Sequence, residues 1–515
     1  MIYFVSAVIL LGICIFIHEL GHLLGGRMVG IKAKVFSIGY GKGFIKKKIG
    51  DTTYQVTLIP FGGYCQFYGE EPGEAREGKG YEFLSASPWR RIVVVVMGPI
   101  FNLLLGIIIF FMLNFVGYEK ESNKISIPEY LTKGKSMSTA YKAGLRSGDR
   151  VIKINDKKIM GFSDLQTSII FYDGSGKPMK ITVLRNKEKK VFKVIPKRNF
   201  KGYYVIGVLP TTNEVFVNNL VSGGVAQKAG FKVGDVILKL DDKIVATPTG
   251  LQNYVKERTN KTIKVDIKRD NKILTKTVVP EKAVILIMSK PKDPGKSATI
   301  DAGMLRKSAA DRNLIVNNKL YRSVELFTEE VKKYKNKNIE ISVNGRQYNG
   351  QAHVFERGMI GISMGRRFEM THIRHSLVDS LVLSVKEPWE FIVINIKGMG
   401  MLFSGKMDVR ENLSGPVKIG QLAGRVAQEK GTSAFIMLIA KISIILMVMN
   451  LLPIPVVDGG HLMFFLIEGI RGKPLSENVM ARIQSVAVIF LITLFVFILI
   501  NDIYSLDAIK NLFSW

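Results

Sequence analysis

The chain is 515 residues long and 47% hydrophobic, with a mean hydropathy of +0.17 and a formal net charge of +30. That length leaves room for several domains, and that hydropathy suits a chain divided between membrane and water. Its two cysteines, Cys14 and Cys65, exclude a disulfide framework and any CxxC zinc site. The surplus of Lys lacks the aromatic interleaving of a nucleic-acid surface, so no nucleic acid is expected as a partner.

The first element is an apolar stretch over 2–24, long enough to cross a bilayer as a helix, for which roughly 20 residues suffice. Without a basic leading segment or a small-x-small cleavage site, it reads as a span rather than a secretory signal peptide. Its run CIFIHELGHLLGG carries His18, Glu19 and His22. An ionisable group in hydrocarbon costs from about 2.5 kcal/mol upward, so these three need partners or a task. HExxH on a helix sets two imidazoles on one face, where both can bind one Zn2+ while the glutamate handles protons. The following loop contains TTYQVTLIPFGGY (52–64), whose partial alternation of polar and apolar residues suggests strand. A second span covers 92–118.

The long region 119–430 contains an internal repeat: AGLRSGDRVIKINDKKI (143–159) recurs as AGFKVGDVILKLDDKIV (229–245). Each copy offers a turn glycine, an apolar strand, a polar hairpin and then a short helix. The pattern resembles tandem PDZ domains of the circularly permuted bacterial type at 125–210 and 211–283, modules that capture extended peptides as an added strand. Further on, DRNLIVNNKLYRSVEL (311–326) overlays DRVIKINDKKIMGFSDL (149–165) with one deletion. NIEISV (338–343) echoes KITVLR (180–185), and GMIGISM (358–364) echoes YVIGVLP (204–210). A degenerate third PDZ-like module is therefore expected at 284–365. Upstream it has Ala302-Gly303-Met304 in place of the repeats' Ala-Gly-Leu and Ala-Gly-Phe. Its turn has Ala309-Ala310-Asp311 in place of Ser147-Gly148-Asp149, without the glycine that reaches positive φ easily. His372 and His375 have no further acid or cysteine at ligand spacing and read as surface or interfacial residues. The stretch 376–403 is amphipathic, with Trp389 near its middle and Glu387, Pro388 and Lys397 within it. It is expected to lie in the membrane interface rather than cross it.

Two more spans, 433–457 and 483–503, complete the count of four. The third ends in NLLPIPVVDGGH (450–461). Pro453 and Pro455 remove backbone donors and break the helix. At membrane depth such a break is tolerated only inside protein or beside a wet cavity. Asp458, at the depth of His22, is the expected third ligand of a site that needs three. His461 is equally readable as supporting or structural. The loops joining spans one to two and three to four hold Lys46, Lys47, Lys48, Arg90, Arg91, Arg471 and Lys473 among other cations. The positive-inside rule makes both loops cytoplasmic, with both termini and the long central region outside.

These motifs together resemble the site-2 protease family of intramembrane zinc metalloproteases, in its RseP-like bacterial branch, over nearly the whole chain. The family marks are HExxH in the first span, IPFGGY (59–64) at a membrane-associated β-loop, and GPIFN (98–102) in the second span. Asn450-Leu451-x-Pro453-x-Pro455-x-x-Asp458-Gly459 in the third span, preceded by LSGPV (413–417), completes them. The resemblance implies Zn2+ as cofactor on His18, His22 and Asp458, with Glu19 as the catalytic proton carrier. It implies substrate contacts at Asn450, Pro453, Pro455, Gly62, Gly63 and Asn102. It further implies single-span membrane proteins as substrates, such as anti-sigma factors or signal-peptide remnants, met in the lipid bilayer of a bacterial inner membrane. The PDZ pair would screen them by size.

The expected fold is thus a multi-span α-helical membrane protein, with four transmembrane helices, a membrane-associated β-loop and inserted α+β PDZ-like domains. Its parts are a membrane half at 1–118, modules at 125–210, 211–283 and 284–365, an interfacial helix and linker at 371–430, and a second membrane half at 431–515. A catalytically silent, PDZ-bearing membrane adaptor is the rival reading. An adaptor has no need to keep Glu19 beside all three ligands. No residue pattern specifies an oligomeric state.

Overall fold

The structure is a computed structural model that describes residues 2–505 except 71–77, 128–136, 200–201, 222, 245–247, 291–292, 301–313, 335–337, 344–345 and 406–414. Four helical stretches among the described residues are long and apolar enough to cross a membrane: Ile2–Met28, Pro88–Val116, Pro416–Asn450 and Asn478–Asp502. The chain is a multi-pass membrane protein.

Helix α1 (Ile2–Met28) packs against α2 (Pro88–Val116) at glycines. A Cβ at Gly21 would stand 2.3 Å from the Met97 carbonyl oxygen, so only glycine permits this approach. Between them, residues 33–67 form two long strands, β1 (Ala33–Ile49) and β2 (Thr52–Phe67), each bent at glycine. Gly39, Gly41 and Gly62 have φ of +89, +96 and +123, a region that side chains resist. The bends fold the pair into a small antiparallel sheet: residues 45–49 pair with 52–56, and 35–38 pair with both 53–56 and 63–66. Residues 63–66 therefore run along one edge.

Helix α3 (Leu377–Phe403) lies against α2 and leaves Leu381, Val382, Val385 and Trp389 exposed. The third span follows as α4 (Gly431–Asn450), preceded by helix Pro416–Arg425 and a π-helical turn at Val426–Lys430. The sequence suggested that this span continues to about residue 457. Instead α4 stops at Asn450, residues 451–457 are non-helical around Pro453 and Pro455, and a separate helix α5 (Asp458–Arg471) begins at the aspartate. The prolines supply no N–H to extend α4, and the break lets the chain turn. The last helix, α6 (Glu477–Ser505), is mostly exposed. Near its C-terminal end the fully buried Asp502 carboxylate accepts the backbone N–H groups of Gly415 and Lys418, each at 3.1 Å, at the start of helix Pro416–Arg425.

Outside these helices stand three β-rich modules. The first has strands in the order 157–158, 150–154, 179–185, 188–194, with helix Phe162–Ile170 packed on them around Ile181 and Val183. It is closed by the segment at 204–210, where the Ala140 N–H reaches the Ile206 carbonyl at 3.0 Å. The second repeats this order with strands 243–244, 236–240, 263–269 and 272–278 and helix Pro248–Lys256. Its closing segment lies far along the chain: the Ala226 N–H reaches the Ile360 carbonyl at 3.0 Å, and Ile362–Phe368 pairs with Thr212–Leu220. GMIGISM, expected in the third module, therefore completes the second, and the boundaries drawn at 283/284 and 365 are corrected accordingly. The third module is an insertion. Glu281 pairs with Met359 at its neck, and its sheet runs 293–300, 281–290, 346–359, 338–343, 314–316, 319–321 with helix Val324–Lys333.

The third module's hairpin, helix and strand pair follow the same succession as in the first two, with one shift. The Asn155 N–H bonds the Lys180 carbonyl, whereas the Asn317 N–H bonds the Glu340 carbonyl, so Glu340 rather than Asn338 stands where Lys180 does. The strand ends at Val343, which pairs with Arg346, two places short of the position of Arg185. Arg185 forms a forked ion pair with the buried Asp149 at 2.6 and 2.7 Å, and Arg269 does the same with Asp235. The shorter strand reaches no such position. The expected turns at Ala302-Gly303-Met304 and Ala309-Ala310-Asp311 lie outside the described residues.

Candidate metal centre

His18 and His22 sit one helical turn apart on α1, their rings perpendicular with centroids 4.7 Å apart. That spacing follows from the 3.6-residue period. Asp458, the first residue of α5, comes to both: His18 Nε2 is 3.1 Å from Asp458 Oδ2 and His22 Nε2 is 3.6 Å from Oδ1. The two Nε2 atoms are 3.1 Å apart. Among the described residues this is the one group of three potential ligands within 4.8 Å of one another. His372 and His375 are not part of such a group.

These separations suit a tetrahedral zinc ion. Ligands at about 2.0–2.1 Å from a common ion stand roughly 3.3 Å apart. Asp458 Oδ2 is buried and makes no hydrogen bond. Such an orphan facing two imidazoles is costly unless a cation lies among them. The far ring nitrogens have partners of their own. His22 Nδ1 donates to the Val94 carbonyl at 2.9 Å, and His18 Nδ1 lies 3.3 Å from the Asn102 side-chain amide. Both contacts leave the Nε2 atoms to face Asp458.

Gly98 makes the close packing possible. A Cβ there would lie 2.5 Å from His22 Cε1 and Nε2 and 2.9 Å from His18 Cε1. Asn102, expected to touch substrate, is fully buried beneath His18 and bonded to Ser443. Asn450 instead comes within 3.2 Å of His18 Nε2 and reaches the metal side of the ring. Gly63 lies against Glu19, since a Cβ there would stand 3.4 Å from Glu19 Cγ. Gly62 begins the same edge. Pro453 and Pro455 lie in the break that leads to Asp458, where Gly459 and Gly460 fit under the carbonyls of Leu452 and Ile454. His461 tilts against Phe465, with ring centroids 6.2 Å apart, and is not one of the ligand trio.

Two features escaped the sequence. Arg91 on α2 is buried, bonds Glu468 on α5 at 2.5 Å and stacks on Phe465 at 4.6 Å, clamping the helix that begins with Asp458. Glu468 in the apolar run FFLIEGI was the available signal. Ser443 is fully buried on α4 and bonds Asn102. It falls two turns before Asn450, on the same face.

The chain matches the model for peptidase family M50 over residues 6–494. It is 27% identical to a Neisseria meningitidis protein named as a zinc metalloprotease, over 92% of each chain. It is 25% identical to the regulator of sigma E protease of Haemophilus influenzae and 25% identical to protease RseP of Yersinia pestis, in each case over 96% of this chain and 97% of the relative. With the match reaching from the first apolar helix into the fourth and covering both halves of the ligand trio, the chain belongs to peptidase family M50 and is a zinc metalloprotease.

Proposed function

We propose that the protein is an intramembrane endopeptidase that cuts transmembrane segments of single-span membrane proteins, with His18, His22 and Asp458 as its zinc ligands. The observation that carries this is the orphaned Asp458 Oδ2 facing two imidazoles from another span. Zinc held there supplies a water of lowered pKa and a Lewis acid for the scissile carbonyl. Glu19, beside the trio on α1, would carry a proton from the attacking water to the leaving amine. A substrate helix hides its carbonyls in its own hydrogen bonds, so it must be opened. The edge formed by residues 63–66 offers unpaired backbone to an extended segment, Gly63 lets that backbone come close to Glu19, and Gly62 before it makes room for the Tyr40 ring. The Asn450 amide, at the metal side of His18, holds the substrate's peptide group, and Pro453 and Pro455 keep the backbone beside it open.

The loops rich in Lys and Arg support cytoplasmic placement of this end, in a bacterial inner membrane, with both termini and the modules outside. The modules read as PDZ domains that screen substrates, admitting those already trimmed outside, such as anti-sigma factors or signal-peptide remnants. In the deciding experiment, His18→Ala, His22→Ala and Asp458→Ala each lose zinc and cleavage of a trimmed single-span substrate. Glu19→Gln keeps zinc and loses turnover. Full cleavage by Glu19→Gln would overturn the mechanism and favour a silent adaptor that copurifies with another protease.

A further inference from the structure

We propose that Ser443 and Asn102 are positioning residues that fix the tautomer of His18, so that the docking of α4 on α2 sets how tightly the metal is held. This rests on the reading of His18 as a zinc ligand. Both side chains are fully buried between helices. Ser443 Oγ lies 2.9 Å from the Asn102 backbone carbonyl oxygen and 3.2 Å from Asn102 Oδ1, and Asn102 Nδ2 lies 3.3 Å from His18 Nδ1.

A carboxamide presents nearly the same shape when its oxygen and nitrogen exchange places, so its direction is decided by its neighbours. If the amide nitrogen faces His18, it donates to Nδ1 and the ring proton moves to Nε2. Nε2 is then a donor, unable to bind a metal although it stands 3.1 Å from Asp458 Oδ2. If the oxygen faces His18, Nδ1 carries the proton and Nε2 keeps its lone pair. Ser443 favours the second arrangement, in which the two ends of the Asn102 carboxamide are exchanged relative to the contacts above. Its hydroxyl hydrogen is engaged by the nearer group, the Asn102 backbone carbonyl, so it offers the side chain a lone pair, which only the amide nitrogen can use. Each polar atom of the set then has a partner, as a buried network requires. Asn450, two turns further along α4, stands at His18 Nε2. One face of α4 thus bears on both nitrogens of a single ligand.

The test uses the full-length protein in detergent, with zinc affinity measured by competition against a chromogenic chelator and Co2+ absorption as a second readout. Ser443→Ala should weaken zinc binding about 10–100-fold, and Ser443→Thr, which keeps the hydroxyl, should stay within about threefold of wild type. Asn102→Asp keeps an acceptor toward Nδ1–H and should retain zinc and the Co2+ spectrum, whereas Asn102→Leu should lose both. Wild-type affinity in Ser443→Ala, or equal losses in Asn102→Asp and Asn102→Leu, would reduce the pair to packing and overturn the proposal. The Asn102 comparison decides the matter even if Ser443→Ala fails to fold. Undiminished zinc affinity in His18→Ala would overturn the underlying ligand reading instead.

Discussion

Adding one methyl group to Gly98 should empty the metal centre without harming the fold. In Gly98→Ala the new carbon would lie 2.5 Å from two atoms of the His22 ring and 2.9 Å from His18. Ordinary carbon contacts begin near 3.5 Å, so the His22 ring must retreat by about 1 Å. Metal ligands tolerate roughly 0.2 Å. The displacement exceeds that several-fold, and it also pulls His22 Nδ1 from the Val94 carbonyl. Losing such an outer contact alone costs about 10–100-fold in affinity, so at least that loss is expected. Alanine is meanwhile the better helix former by about 1 kcal/mol, so the helix should not weaken on its own account. Gly12→Ala is the matched control, because nothing lies within 4 Å of a Cβ there. The assay is zinc per chain by mass spectrometry on protein of verified helicity, with cleavage of a single-span substrate alongside. Full zinc occupancy and activity in Gly98→Ala would refute the geometry from which the centre is argued.

Other predictions follow the same logic. Arg91→Met should strand the Glu468 carboxylate and cost about 3–5 kcal/mol, read as a lower melting temperature in detergent, with most of it restored by Glu468→Leu in the same chain. Excising 282–358 and joining Glu281 to Met359 through a short turn should leave the second module folded, because those ends already pair, as judged by protease resistance. Removing 284–365 should unfold it, since Ile360 and part of the closing strand go too. The clamp in that module should also depend on pH. Burial alone would push the Asp235 carboxyl up, but the Arg269 fork and the Lys232 N–H hold it below the usual carboxylate range. A group depressed in the folded state stabilises fully above its unfolded value, near 3.9, and loses that contribution as pH falls through the folded one. Arg269→Met should therefore raise hydrogen exchange in the module at neutral pH, with the gap to wild type narrowing below about pH 4.

What could be read from sequence is what is local. The spacing of His18 and His22 is a property of one helix, and the proline break before Asp458 is written in adjacent residues. Contacts that depend on which distant faces meet were not legible. Arg91 and Glu468, like Asn102 and Ser443, lie on separate helices, and no periodicity in one names its partner in the other. The segment GMIGISM shows the same limit. Its likeness to YVIGVLP identified the kind of strand correctly but not its host. The deciding feature is the pairing of 281–289 with 351–359, which only the folded chain displays. The shift of two places at 338–343 likewise depends on where a hairpin turns, and alternating apolar residues fit either register.

The chain leaves the membrane at Tyr118–Glu121 and returns at Met370–Ile373, and these two segments pair side by side, His372 opposite Glu119. The described residues between Ser122 and Glu369 are joined to the helices by this two-stranded stalk, whose feet are α2, carrying Gly98 and Asn102, and α3, and by an ion pair from Lys157 to Glu390 on α3 at 2.6 Å. Force applied to a module passes through this stalk and loads both backbones in parallel, so the hydrogen bonds between them, perpendicular to the strands, carry little of it. A pull on the modules would thus arrive as a tilt of α2, within reach of the imidazoles that rest on it.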